Sequence, residues 1–434
     1  MTQEEALNVM KMGYNVFLTG PPGGGKTFLL NKYIDYLREN NKSVAVTAST
    51  GIAATHMNGT TLHSWSGLGI KEDLTKNDIK KLMKKSYLRK HYKNTKILII
   101  DEISMLTATK FDAVDRACQQ FKASIKPFGG MQVVCSGDLF QLPPINKNNL
   151  VNFVIESQTW KNMDMKICYL EEQHRHTDKD LFALLNHIRN NNVEASKKIL
   201  MGRPQQEAPL KMPTKLYTHN IDVDAVNSVE LEKIVGEEFV YHMTATGKNE
   251  VVTALKKSCL ASERLVLKKG AQVIFLKNNF EVGYVNGTQG SVVDFDTEGL
   301  PIVETTYGQK IIAKLASWTV DEDGKRIARI NQLPLRLAWA ITVHKSQGMN
   351  LDAAEIDLSK CFVEGMGYVA LSRLRSLAGL KLVAINDMAF CINNKALDAD
   401  KQLRRASKVV ARRLKKISPS ETKKRHKRFL MSVA

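Results

Sequence analysis

Four short apolar runs, at residues 16–19, 44–47, 97–100 and 133–136, alternate with amphipathic or polar stretches in the first third of the chain. Runs of this length, rich in Val and Ile and closed by polar turns, predict buried parallel strands, and their spacing leaves room for crossover helices. Together they define one α/β lobe ending near Trp160. Residues 67–94 interrupt it with a polar, Lys-rich interval too long for a plain loop, which predicts a small helical inset. After Leu170 a helical period covers 180–190, a Pro/Gln-rich break follows at 202–213, and strands at 216–218 and 272–276 open a second α/β lobe. Between 290 and 331 the pattern shortens to strands at 291–295, 302–305, 311–315 and 327–330. Turns at Glu298-Gly299 and Asp323-Gly324 punctuate them, which predicts a small β-barrel. The second lobe resumes with strands at 337–341, 354–357 and 380–385. The expected layout is a first lobe over 1–160, a second over 161–289 and 332–390, a barrel over 290–331 and an extension over 391–434.

Length agrees with two or three domains, since 434 residues exceed what one core usually serves. Charge adds more. The formal net charge is +19, and 401–428 alone hold thirteen Lys/Arg against one acid, Glu421. Such a segment points to a polyanion, nucleic acid first among them. Leu403, Ala406, Val410, Leu414 and Ile417 recur at helical spacing, so part of it is also expected to pack on the body. No apolar run approaches a membrane span, and the N-terminal residues have neither signal-peptide nor transit-peptide character, so a bacterial or viral cytoplasm is the expected setting, with nucleus and mitochondrion left open. Six cysteines without a C-x-x-C pair read as reduced thiols and give no zinc pattern.

The chemistry starts at Gly20-Pro21-Pro22-Gly23-Gly24-Gly25-Lys26-Thr27, between the strand at 16–19 and an amphipathic helix. Its G-x-x-x-x-G-K-T spacing lets backbone N–H groups of Gly23, Gly24 and Gly25 curl around phosphates. Lys26 reaches their terminal oxygens, and the Thr27 hydroxyl ligates magnesium. Asp101-Glu102 close the buried run 97–100 at the strand end where an open α/β sheet binds ligand. Asp101 is the expected metal ligand and Glu102 the base for an attacking water. Gln141, past the strand at 133–136, is placed to sense the γ-phosphate or that water. Arg175 and Arg373 are the candidates for neutralising transition-state charge from a second lobe.

Eight segments occur in the order found in superfamily-one DNA helicases: TGPPGGGKT (19–27), TASTGIAA (47–54), GTTLHSW (59–65), IDEISML (100–106), PFGGMQVVCSGDLFQLPP (127–144), VNGTQG (285–290), ITVHKSQGMNLD (341–352) and YVALSR (368–373). The chain resembles the Pif subfamily, beside the RecD-like enzymes, from Gln3 to about Asp387. The resemblance implies two RecA-like P-loop lobes, ATP and Mg2+ as cofactors, and a monomer moving 5′ to 3′ on single-stranded DNA, unwinding duplexes from single-strand/double-strand junctions. Several members resolve G-quadruplexes. It implies that Gln3 reads adenine, and that Lys26, Thr27, Asp101, Glu102, Gln141, Arg175 and Arg373 serve ATP hydrolysis. It also implies that Thr50, Gly51, Thr61, His63, Thr342, His344 and Lys345 grip single-stranded DNA. The inset at 67–94 resembles the family's strand-separating wedge, and 290–331 its Src-homology-three-like insertion. The chain departs from the family pattern at 364–367 and at His176, where a glutamine is usual at each place. The alternatives are an ATP-gated nucleic-acid clamp or an RNA motor. Trp65, Phe128 and Phe140 are candidates for base stacking or for core.

Overall fold

The computed structural model describes residues 1–69, 71–144, 152–171, 178–202, 213–218, 223–279, 281–322 and 325–433. Two compact units emerge: Met1–Arg175 with Val320–Ile327 and Asn394–Ala434, and His176–Thr319 with Ala328–Asn393.

The first unit is built on six parallel strands: β1 (Val16–Thr19), β2 (Val44–Ala48), β3 (Thr60–Thr61), β4 (Ile97–Asp101), β5 (Gln132–Ser136) and β6 (Lys166–Tyr169), in the spatial order β3-β2-β4-β5-β1-β6. β1, β4 and β5 are buried along their whole length, as continuous apolar runs require when helices cover both faces. The lobe therefore continues past Trp160, because β6 pairs with β1 from Val16↔Lys166 to Thr19↔Tyr169. Helix Gln3–Lys11 packs Leu7 and Met10 into the same core as Leu29, Tyr33 and Ile34 of helix Lys26–Glu39. The inset is helical, with Lys76–Met83 and Ser86–Asn94. Its apolar side buries Ile79, Leu82, Leu88 and Tyr92, and Tyr92 stacks on Phe121 at 4.2 Å.

The basic extension is no loose tail. Helices Asn394–Leu414 and Pro419–Ser432 belong to the first unit, and Phe429 is part of its core. Gly13, at φ +84°, lies against the Phe429 ring, where a Cβ would overlap it.

The second unit carries a four-stranded parallel sheet in the order Ala340–Thr342, Thr214–Tyr217, Ala354–Leu358 and Leu380–Ile385. One strand assigned to this lobe from the sequence lies elsewhere, and the run expected at 337–341 is split, its later part forming Ala340–Thr342 of this sheet. Gln272–Phe275 and Leu335–Leu337 join Gln289–Phe295, Pro301–Thr305 and Lys310–Ile312 in an antiparallel five-stranded sheet. Short apolar runs have the same appearance in either setting, so periodicity did not separate them. The β module is accordingly larger than 290–331. Two smaller sheets accompany it, Arg264–Leu267 with Phe239–His242, and Ala316–Glu322 with Lys325–Gln332 and Thr244–Gly247. The expected Asp323-Gly324 turn lies outside the described residues. Gln289, fully buried, ties module to lobe: its Nε2 donates to Thr214 Oγ1 and Ala353 O, both at 2.8 Å, and its Oε1 accepts from the amides of Asp352 and Ala353, both at 2.9 Å.

Candidate nucleotide and nucleic-acid sites

β1 pairs with β5, and β5 with β4, so three strand exits stand side by side on one edge of the first sheet. The exit of β1 is the glycine loop. Gly20, Gly23 and Gly25 have φ of 139°, 86° and 78°, a backbone that L side chains rarely adopt, and Gly25 leads directly into helix Lys26–Glu39. That helix aims its free N-terminal amides at the loop. Lys26 Nζ donates to the carbonyls of Gly20 at 2.7 Å and Pro21 at 3.1 Å. Thr27 is exposed on the first turn. Gln3 arrives from the first helix, and its Nε2 donates to Gly24 O at 3.3 Å.

The exit of β4 presents the acids. Asp101 is buried, and its Oδ1 accepts the Glu102 amide at 2.9 Å. Burial pushes its carboxyl above the usual range, against the Glu102 amide and the Lys26 ammonium. A buried carboxylate and the exposed Thr27 hydroxyl at the start of the neighbouring helix are hard oxygen donors of the kind Mg2+ takes, so the residue types fit the metal. Glu102 stands at φ 53°, ψ 46°, left-handed for a non-glycine residue. Ser49 holds it there: its Oγ donates to Glu102 O at 2.6 Å, while its amide donates to Asp101 O at 3.0 Å. Beyond β5, a Cβ on Gly137 would come within 3.1 Å of Ile103 N, so glycine lets the two exits approach. Gln141 follows, buried, its amide donating to Asp138 O at 3.0 Å in a turn that Asp138 Oδ1 caps by accepting from Phe140 N at 3.2 Å.

Thr50 and Thr61 each begin a helix. Their hydroxyls accept from Ala53 N at 3.3 Å and Ser64 N at 3.2 Å, and Gly51 opens the helix Gly51–His56. His63 is tied to residues that the sequence did not flag. Lys110 Nζ lies 2.8 Å from His63 Nε2 and 2.8 Å from Glu72 Oε1, and Thr107 Oγ1 donates to Glu72 Oε2 at 2.9 Å. An ammonium donates only, so His63 is neutral with a bare Nε2. Burial, then Lys110, depresses the imidazole. Burial works to raise Glu72, but the hydrogen bonds from Lys110 and Thr107 outweigh it and hold that carboxyl low. Trp65, Phe128 and Phe140 are all buried, which makes them core rather than stacking platforms.

In the second unit, Thr342 Oγ1 accepts from Lys345 N at 3.2 Å just past strand Ala340–Thr342. His344 is half-buried and depressed by that burial, and Lys345 Nζ lies 3.9 Å from Asp224. Arg373 is buried, its Nε donating to Val369 O at 3.0 Å and Nη2 to Ser372 Oγ at 2.8 Å. The glycines that replace the family's pattern before Tyr368 have structural causes. Gly365 caps helix Met366–Leu371 at φ 82°, and a Cβ on Gly367 would strike Ala389 O. Arg175 and His176 lie outside the described residues.

A glycine loop on a helix N-terminus, beside an acidic strand exit, gives the parts of a phosphate-loop nucleoside triphosphatase. Residues 3–200 match the family model described as PIF1-like helicase, and 250–295 that of the DNA helicase Pif1 2B domain. The chain is 42% identical to the ATP-dependent DNA helicase Pif1 of Psychrobacter sp., over 100% of this chain and 75% of that one. It spans 60% to 64% of the length of vertebrate relatives. Its fold is similar to that of Pif1 from Bacteroides sp. in complex with ADP-AlF4, at TM-score 0.80 and 30% identity over 93% of this chain and 96% of that one. Bacteroides Pif1 bound to ssDNA is similar at TM-score 0.62 and 31% identity, over the same shares. The chain belongs to the PIF1-like helicase family. Among the described residues, no helix is long and apolar enough to cross a membrane.

Proposed function

We propose that the chain is an ATP-driven DNA helicase, moving 5′ to 3′ on single-stranded DNA and opening duplexes from a single-strand/double-strand junction. Its family, and relatives whose structures hold ADP-AlF4 or ssDNA, support the substrates. One observation carries the coupling between them. Ser49, inside the segment that includes Thr50 and Gly51, fixes the backbone of Glu102. A shift of the DNA-gripping segment is thereby transmitted to the acid that handles water.

In this reading Gln3 reads adenine, and the amides of Gly23, Gly24 and Gly25 with Lys26 hold the phosphates. Thr27 and Asp101 would hold Mg2+, which would supply positive charge against the phosphates. Glu102 accepts the water's proton, with Gln141 orienting it. Arg373 and Arg175 supply positive charge. Thr50, Gly51, Thr61, His63, Thr342, His344 and Lys345 line the strand's track, and the inset is the wedge. Bacterial relatives fit a bacterial cytoplasm as its place of action, and vertebrate relatives keep a nucleus or mitochondrion open.

Strand displacement from 5′- and 3′-tailed duplexes, beside ATPase assays with DNA and RNA, tests this. The 5′ tail alone should support unwinding, and Glu102→Gln should bind ATP while nearly abolishing turnover. DNA-stimulated hydrolysis without displacement would assign a clamp. Stimulation by RNA alone would assign an RNA motor, and equal use of both tails would refute the polarity.

A further inference from the structure

The last two helices carry a surface that this function leaves unused. Their apolar positions face the first unit: Leu403 and Phe429 are buried, and Val410 and Leu414 pack on its core. Tyr169 of β6 pins the first of them. Its amide donates to Ser407 Oγ at 3.0 Å, its hydroxyl donates to Asp400 Oδ1 at 2.9 Å, and the Arg404 guanidinium lies 4.3 Å above its ring. The helices are thus a rigid part of the lobe.

Outward, Arg405, Lys408 and Arg412 on the first helix and Lys416 in the turn after it recur at three- and four-residue spacing, all exposed, and Lys423 and Lys427 do the same on the second helix. Among the described residues none of the six has an ion-pair partner. The nearby acids are engaged by other cations: Asp398 with Lys401, Asp400 with Arg404, and Glu421 with Arg425. The positive surface also continues onto the lobe. Phe429 and Ser432 line a groove of about 580 Å³ with Lys96, Lys122 and Lys126 against one acid, Asp164, which Lys166 pairs at 2.6 Å. Lys96 and Gln132 place this groove at the N-terminal ends of β4 and β5, the sheet edge opposite the triphosphate loop.

We propose that this helical pair and groove bind the phosphate backbone of double-stranded DNA, at a site separate from the single-strand track. Helix Asn394–Leu414, with 21 residues, is roughly 31 Å long, close to one duplex turn of about 34 Å. A duplex presents one charge per about 1.7 Å of axis, so unpaired cations roughly 4.5–6 Å apart along a rigid rod each have a phosphate within reach. Single-strand grip relies on exposed aromatic platforms, and the only Phe, Tyr or Trp in 394–434 is the buried Phe429. The proposal stands on charge and shape and needs no unwinding activity.

The test uses the full chain without nucleotide and a blunt 20-base-pair duplex, followed by fluorescence anisotropy from 50 to 200 mM NaCl. The variant carries R405Q, K408Q, R412Q, K416Q, K423Q and K427Q. If four phosphates are contacted, the slope of log K against log salt falls by about 3.6. Across that salt range the parent then loses about 150-fold more affinity than the variant. ATPase at saturating single-stranded DNA and the thermal midpoint should not move. Should the sixfold variant melt lower, K408Q/R412Q gives the same test with a slope change of about 1.8. Equal slopes for parent and variant overturn the proposal. So does a slope change seen with a 20-nucleotide single strand but not with the duplex, or displacement of the duplex by poly-glutamate at equal charge.

Discussion

Replacing Ser49 by alanine removes one hydroxyl that touches neither phosphate loop nor acid side chain, yet it should slow ATP turnover. Ser49 is 9% exposed, and its Oγ donates at 2.6 Å to the carbonyl of Glu102, which stands in a left-handed conformation. Such a backbone costs about 1–3 kcal/mol unless its surroundings hold it. The lost bond contributes about 1 kcal/mol net, and a carbonyl left unpaired in a partly buried place costs about 1–3 kcal/mol. If about 1.4–2 kcal/mol of this opposes the productive placement of the Glu102 carboxylate, kcat falls roughly 10- to 30-fold. KM for ATP should stay within about twofold, because Lys26 and the glycine loop are untouched. Steady-state ATPase with saturating single-stranded DNA reads both constants. Ser49→Thr, which keeps the hydroxyl, should restore most of the rate, and Ser49→Ala should add nothing in a Glu102→Gln background. A kcat within twofold of the parent, or an undiminished effect in that background, would refute the coupling.

Three further outcomes follow from the geometry. Phe429→Ala should cost about 3–5 kcal/mol and lower the first unit's calorimetric midpoint by roughly 6–20 °C, and a change below 2 °C would mean the last helix is no part of that core. His63 is depressed by burial and Lys110 from an ordinary value of 6.5, so its contribution to stability is complete above that pH and is lost as pH falls through the folded value. The urea midpoint of the parent should therefore fall more steeply between pH 7 and 5 than that of His63→Gln, and parallel profiles would remove the Lys110 contact from the account. Gln3→Ala should shrink the preference for ATP over GTP by about tenfold, the worth of roughly one good hydrogen bond, and unchanged selectivity in competition assays would release Gln3 from base recognition.

The parts of the site legible in the sequence are those made by neighbours along the chain. Gly20 to Thr27 and Asp101-Glu102 each sit at the end of one apolar run, so a strand, a turn and a helix start were enough to locate them. What escaped was long-range. Ser49 lies 53 positions from Glu102 and His63 47 from Lys110, and no period announces either contact. β6 escaped because nothing in Lys166–Tyr169 says which sheet edge it extends. Gln272–Phe275 reads alike as a parallel or an antiparallel strand, and only its pairing with Gln289–Phe295 decides. The helical spacing of Leu403, Val410 and Leu414 announced a packed face, while the ring seated against Gly13 came from Phe429, outside that stripe.

That seat bears on the order in which the protein matures. Arg425 touches Tyr14 across 411 positions of chain, and Phe429 fills the core around Gly13. At about 5–20 residues per second, a ribosome needs roughly 20–80 s to travel from one to the other. During that interval the triphosphate loop and its strands are already made, but the lobe that carries them has an apolar face uncovered. The first lobe can thus begin to fold early and finish only late. A nascent chain stalled before residue 394 would expose the groove around Gly13 to any holding chaperone, whereas a released chain with Phe429 seated would not.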